Sequence, residues 1–279
     1  MSHAAPRSLG LKGHLVCLFG IVGRELLRFL HQRERFFSAL VRPLIWLMIF
    51  AAGFRSVLGV SIIPPYETYV LYEVYVTPGL AAMVQLFNGM QSSLSMVYDR
   101  EVGSMRVLMT SPFPRWYLLL SKLVAGVSVS VVQVYAFLIV AQIWGVDLPW
   151  LGLVTALPAF ILAGLMLGSI GLFISSFVRQ LENFASVMNF VIFPMFFASS
   201  ALYPLWRIRE ASETLYIVCL ANPFTHAVEL VRFALYEQID PLSLGVVSCV
   251  TLVFFLGAVA AYDPGRGMIG RRGGPKAET

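Results

Sequence analysis

"MVYDREVGSMRVLMTSPFPRWYLLLSK", residues Met96–Lys122, interrupts a chain that is otherwise mostly hydrocarbon. It opens on Asp99, Arg100 and Glu101, is punctuated by Gly103, Pro112 and Pro114, and runs at once into another apolar stretch. A handful of residues is enough to join two membrane-crossing helices, so a patterned insertion needs a reason. Taken as a helix over Asp99–Thr110, it places Val102, Met105, Leu108 and Met109 on one face at helical spacing. Asp99 and Glu101 then occupy the first turn, favourable at the positive end of the helix dipole, and Arg100 and Arg106 add charge. Pro112 disfavours helical geometry at Ser111 and ends the turn. Pro114 stands near the start of the next helix, whose first turn carries Arg115, Trp116 and Tyr117. The pattern predicts a short amphipathic helix, about 18 Å long, stiffly joined to the span that follows. A loop resting on lipid and a lever offered to a cytoplasmic partner both fit it.

The rest of the chain sets the class. Of 279 residues 58% are hydrophobic and 13% charged, about half the charged share of an ordinary soluble domain. Long apolar runs alternate with short charged ones, the pattern of an all-α polytopic membrane protein. Six runs reach the roughly 20 residues a helical span needs: about 37–60, 78–98, 118–144, 151–177, 184–203 and 242–262. The second is the least apolar, and the first carries Arg42 and Arg55 toward its ends, where both can snorkel unless one of them faces the bundle interior. The expected division is a tail and interfacial helix over 1–36, a six-span domain over 37–262 and a flexible basic tail over 263–279. No h-region with a cleavage site precedes the first span, which is expected to serve as the insertion signal.

Lys and Arg orient the spans. With the N-terminus inside, Arg7, Lys12, Arg24, Arg28, Arg33 and Arg35 precede the first span. Arg100, Arg106, Arg115 and Lys122 follow the second, Arg179 the fourth, and Arg266, Arg271, Arg272 and Lys276 lie in the tail. Only Arg55, Arg207, Arg209 and Arg232 fall on the other side. The positive-inside bias places both termini in the cytoplasm, so the net charge of +5 calls for no nucleic acid. Leu15, Leu18, Val22, Leu26, Leu27 and Leu30 recur at helical spacing before the first span; they predict an amphipathic helix on the inner leaflet or a docking surface. Trp116 and Tyr117 mark the inner boundary, and Trp144, Trp150, Tyr203 and Trp206 the outer one.

The spans contain no Asp, Glu or His. Proton-driven carriers bind and release their proton on a titratable group at depth, and intramembrane metal sites need His or carboxylate ligands. Cys17, Cys219 and Cys249 lack metal-ligand spacing. No Gly-x4-Gly-Lys-Ser/Thr phosphate loop occurs, and Gly265-x-Gly267-x-x-Gly270 follows a span, not a strand, so it lacks the context of a dinucleotide site. The chain is therefore expected to be no enzyme, to bind no metal or cofactor, and to receive energy from elsewhere. Within span two, Gln85, Asn88, Ser92 and Ser95, with Gln91 adjacent, form an uncharged polar stripe. It suits either interhelical hydrogen bonding or the lining of a transport path. Gly164 and Gly168 form a small-xxx-small pair expected to permit close helix packing.

Residues 67–122, "ETYVLYEVYVTPGLAAM…VYDREVGSMRVLMTSPFPRWYLLLSKL", resemble the signature region of ABC-2 type permeases, the membrane subunits of type V ABC exporters. The matching features are a Tyr-rich stretch leading to Pro78-Gly79 at the opening of span two, then Asp99-Arg100-Glu101 with Gly103, then Ser111-Pro112, Arg115 and Ser121-Lys122. "ANPFTHAVELVRFALY" adds Asn222-Pro223 and Arg232 in a second block. Ser121 departs from the Gly common before the Lys. Among such permeases the chain looks closest to those related to drug-resistance and nodulation lipo-oligosaccharide exporters.

The resemblance implies a cytoplasmic coupling helix between spans two and three, comprising Asp99, Arg100, Glu101, Val102, Gly103, Met105, Arg106 and Met109. It would seat in a separate ATP-binding subunit, present in two copies, which holds the ATP and Mg. The resemblance also implies a homodimer in a bacterial inner membrane and outer re-entrant helices between about Pro204 and Tyr236, including Asn222, Pro223 and Arg232. The expected cargo is lipid-like or amphiphilic. A self-contained channel or sodium-coupled carrier is the alternative; a membrane-embedded transferase or protease lacks its acidic and His residues.

Overall fold

The computed structural model describes residues 10–31, 33–54, 64–66, 70–101, 113–178 and 180–261. Helices account for nearly all of them: α1 Leu11–His31, α2 Arg33–Phe54, α3 Tyr72–Glu101, α4 Arg115–Ile143, α5 Trp150–Thr155, α6 Leu157–Phe177, α7 Leu181–Phe197, α8 Leu205–Ala211, α9 Glu213–Ala221, α10 Pro223–Leu235 and α11 Pro241–Ala261. The expected insertion from Val102 onward, Arg55, Arg179 and the basic tail lie outside the described residues.

Among the described residues α4, α6 and α11 are long and apolar enough to cross a membrane. The pair α9–α10 meets the same test when taken together, bent by 75° at its break. Apolar α7 is shorter. Helix α3, at 30 residues, is about 45 Å long, which exceeds the hydrocarbon thickness.

The least apolar of the long helices, α3, is the most enclosed. On α3, Val76, Leu80, Ala81, Ala82, Leu86 and Val97 are completely buried, because α2, α4, α6, α7 and α10 all pack around it. A helix that meets protein on every side need not be uniformly apolar, provided its polar groups find partners. Helix α11 is the opposite case. It packs mainly on α6 and turns Leu242, Leu252, Val253 and Leu256 outward, as a lipid-facing helix should.

Small residues set the central spacing. A Cβ on Gly89 of α3 would lie 2.9 Å from the Gly168 amide nitrogen of α6, and one on Gly171 would lie 2.8 Å from the Gly89 carbonyl oxygen. Gly164 faces Gln85, Val127 and Ser130. The close packing expected of Gly164 and Gly168 is thus present, and Gly89 and Gly171 are equally part of it.

Two expectations change in detail. Helix α3 begins at Tyr72, so Pro78 lies inside it and Pro78-Gly79 does not open the helix. As the seventh residue of α3, Pro78 lies beyond the four amides that lack an intrahelical acceptor, so the helix forgoes the bond that another residue there would make to the Val74 carbonyl. The anticipated apolar face of α1 divides in two: Leu18, Val22 and Leu26 are half-buried, whereas Leu15, Leu27 and Leu30 point outward. One helix here both packs on α4 and presents a second apolar sector.

Candidate functional site

Helix α3 continues through Asp99, Arg100 and Glu101. These three residues therefore belong to α3, at its C-terminal end. Val102, Gly103, Met105, Arg106 and Met109 lie outside the described residues.

The chain re-enters at Phe113, and its first turn in α4 is tied to α1. The Tyr117 hydroxyl donates to the His14 carbonyl oxygen. The His14 ring stands edge-on to Phe113 at 5.2 Å and to Tyr117 at 4.9 Å, while Phe113 and Tyr117 stack at 5.6 Å. Trp116 and Tyr117 thus part company: Trp116 is exposed, and Tyr117 is a buried joint. Nothing local in the sequence distinguishes the two rings, since their partner lies about 100 residues away.

The polar stripe on α3 divides between neighbouring helices and its own backbone. Gln85, fully buried, donates from Nε2 to the Phe160 carbonyl of α6 at 2.6 Å. Asn88 donates from Nδ2 to Gln133 Oε1 on α4, itself buried. Ser92 returns its hydroxyl to the Gly89 carbonyl at 3.0 Å, and Ser95 to that of Ser92 at 2.7 Å. Gln91 is half-buried and Ser95 exposed. Gln133 was the missing partner; the sequence offers Ser128, Ser130 and Gln133 in the same run and nothing local says which of them meets Asn88.

The outer expectations converge on the far end of α3. Asn222 caps α10, its Oδ1 accepting from the Phe224 amide at 3.0 Å. Its Nδ2 donates to the carbonyls of Met195 and Ala198, at 2.7 and 2.6 Å. Pro223 follows at the first helical position, where its missing N–H costs nothing. One Asn-Pro pair therefore makes the bend and fastens it to the end of α7.

Arg232 lies buried beyond it. Its Nη1 pairs with Glu229 one helical turn back, its Nη2 donates to the Ser200 carbonyl at 2.9 Å, and its guanidinium lies 4.1 Å from the centre of the Tyr75 ring. The Tyr75 hydroxyl donates to that same carbonyl at 3.0 Å, and Tyr72 to that of Leu202 at 2.8 Å. Gly79 allows the turn to approach, since a Cβ there would meet the Ala201 oxygen at 2.5 Å. Tyr66 packs edge-on to Tyr236 at 4.9 Å, and burial pushes its phenol up, so it stays neutral beside Arg232. The Tyr-rich stretch before Pro78 and the acid three residues before Arg232 were the available signals for this cluster.

Among the described residues no group of three or more His, Cys, Asp and Glu side chains is placed to hold a metal ion. What the arrangement offers is a central helix with a charged C-terminal end, a polar middle bonded to two neighbours and an N-terminal end clamped by the Tyr75–Arg232 cluster.

Known proteins match this chain along most of its length. The family model described as ABC-2 type transporter matches residues 17–236. The chain is similar to ycf38 of Cyanophora paradoxa, named as a transport permease, with 24% identity over 77% of this chain and 73% of that one. It is similar to the multidrug ABC transporter permease YbhR of Escherichia coli, with 28% identity over 60% and 45% of the two chains. It is also similar to nodulation protein J of Rhizobium leguminosarum, with 28% identity over 40% and 43%.

Proposed function

The chain belongs to the ABC-2 type transporter family, as a multi-pass membrane permease subunit of an ABC transporter, and on that premise we propose that it is the non-catalytic half of an ATP-driven exporter. The observation that carries the mechanism is the continuity of α3. One helix runs from the buried core, where it packs on Gly168 and Gly171, to Asp99-Arg100-Glu101 at its inner end.

In this reading two copies of a cytoplasmic ATP-binding subunit close on ATP and push the segment Asp99–Thr110. Arg100, Glu101 and Arg106 make polar contacts to that partner, and Val102, Met105 and Met109 bury the apolar face. The push reaches the core directly through α3, and through Trp116 and the first turn of α4. Six spans, with α8–α10 as outer re-entrant helices, two copies of this chain, cytoplasmic termini and a bacterial inner membrane complete the proposal. Uncharged polar groups such as Gln91 and Ser95 suit a lipid-like or amphiphilic cargo.

The test is to express the chain together with a candidate ATP-binding subunit. Glu101→Lys and Met105→Asp should insert normally yet lose both partner capture and transport. Wild-type behaviour by both variants would overturn the coupling role. Solute movement by the purified chain alone in liposomes would favour a self-contained channel or carrier.

A further inference from the structure

We propose that α1 is a docking surface for anionic lipid headgroups, with Arg24 and Arg28 as the residues that select the charge. The inference rests on the membrane-permease reading to place α1 at a bilayer edge, and it names a partner that reading does not.

Helix α1 presents three faces. One, with Phe29 buried and Leu18 and Val22 half-buried, turns inward, and His14 joins it to the first turn of α4. The second is a stripe of Leu15, Phe19, Leu27 and Leu30, between 45% and 71% exposed. Gly23 stands in the stripe's only gap, with open space where a Cβ would be. The third borders that stripe. Arg24 and Arg28 each directly follow a stripe position, so they form a row about 100° around the helix, with side chains 61% and 54% exposed.

Position restricts what can cover these faces. The start of α1 is fixed to Tyr117, at the beginning of α4, and its end leads into the first residues of α2. The first attachment lies where the apolar helix α4 begins and the second where α2 begins, so α1 links the starts of two helices; the membrane-permease reading sets that level at a bilayer edge. An apolar stripe beside a cationic row at that level matches the boundary between acyl chains and headgroups. A neutral surface would satisfy the stripe alone; the arginine row fits phosphate-bearing anionic lipid. Glu25 sits between the two arginines and accepts from both, at 3.1 Å and 3.5 Å. It tempers the attraction.

That arrangement predicts shifts of opposite sign. The full chain is placed in nanodiscs of phosphatidylcholine, with or without phosphatidylglycerol, and amide exchange is followed over residues 15–30. Phosphatidylglycerol should slow exchange there, with each arginine contributing roughly fivefold to the docked population, and should leave α11 unchanged. Arg24→Gln with Arg28→Gln should abolish the preference, Glu25→Gln should increase it, and raised salt should weaken it. Equal exchange in the two lipids, or a preference that survives loss of both arginines, overturns the proposal. So does protection that arises only on adding the ATP-binding subunit, which would make α1 a protein contact. Partner capture is measured separately, so failure here leaves the exporter reading untouched.

Discussion

Gly89 of α3 and Gly168 of α6 approach so closely that a Cβ on Gly89 would lie 2.9 Å from the Gly168 amide nitrogen. The obstacle is backbone, which cannot rotate away as a side chain would. In a bilayer the surrounding tails are as apolar as leucine, so helices adhere through close contact and hydrogen bonds more than through burial. The α3–α6 pair depends on this approach.

Gly89→Ala should therefore destabilise the protein by about 1–3 kcal/mol, the usual cost of overpacking. Gly245→Ala is the control, because nothing lies within 4 Å of a Cβ there; it should be neutral or slightly stabilising through helix propensity. Thermal unfolding in one detergent compares them. Equal midpoints for the two variants would show that the α3–α6 approach is not limiting.

The Arg232 cluster yields a prediction about coupling between residues. The Arg232 side chain is 3% exposed and that of Glu229 18%. Arg232→Met leaves a carboxylate without its cation and frees the Ser200 carbonyl, which should cost about 3–5 kcal/mol. Glu229→Gln alone should cost less, since its amide oxygen still accepts. The double variant should be markedly more stable than the sum of the singles, as expected for one network. Additive losses in a double-mutant cycle would argue against the network.

Asn88 and Gln133 separate packing from transport. Asn88→Leu leaves the Gln133 amide buried and without its partner, at a cost of about 1–3 kcal/mol. Asn88→Leu with Gln133→Leu removes both polar groups and should recover most of that loss. If the double variant folds and inserts normally but transports nothing, these side chains serve the path as well as the packing. If it also transports, their role is structural.

Much of this was legible locally. Hydropathy located the apolar helices Arg115–Ile143, Leu157–Phe177 and Pro241–Ala261, because an apolar run of sufficient length carries its own message. Asn222-Pro223 was singled out by the family resemblance alone, although an Asn cap followed by Pro at the first helical position is a local arrangement. The glycine pair in α6 was readable by spacing. The division of α1 was not: six leucine and valine positions at helical spacing look alike, and only the neighbour on one side decides which of them turn inward. Nor did the sequence distinguish Tyr117 from Trp116, or assign Gln133 to Asn88.

By itself, then, the sequence determined which segments are helical and apolar, where charge interrupts them, and which family they belong to. Each of these depends on residues within a turn or two of one another, or on motifs kept in order along the chain. The tertiary structure decided the rest: that the least apolar long helix is the central one, that His14 holds Tyr117, and that Arg232 and Tyr75 share the carbonyl of Ser200. Those pairings join residues 32 to 125 positions apart. No periodicity encodes such a contact, because it forms only once the surrounding helices have packed and brought the two groups to one place.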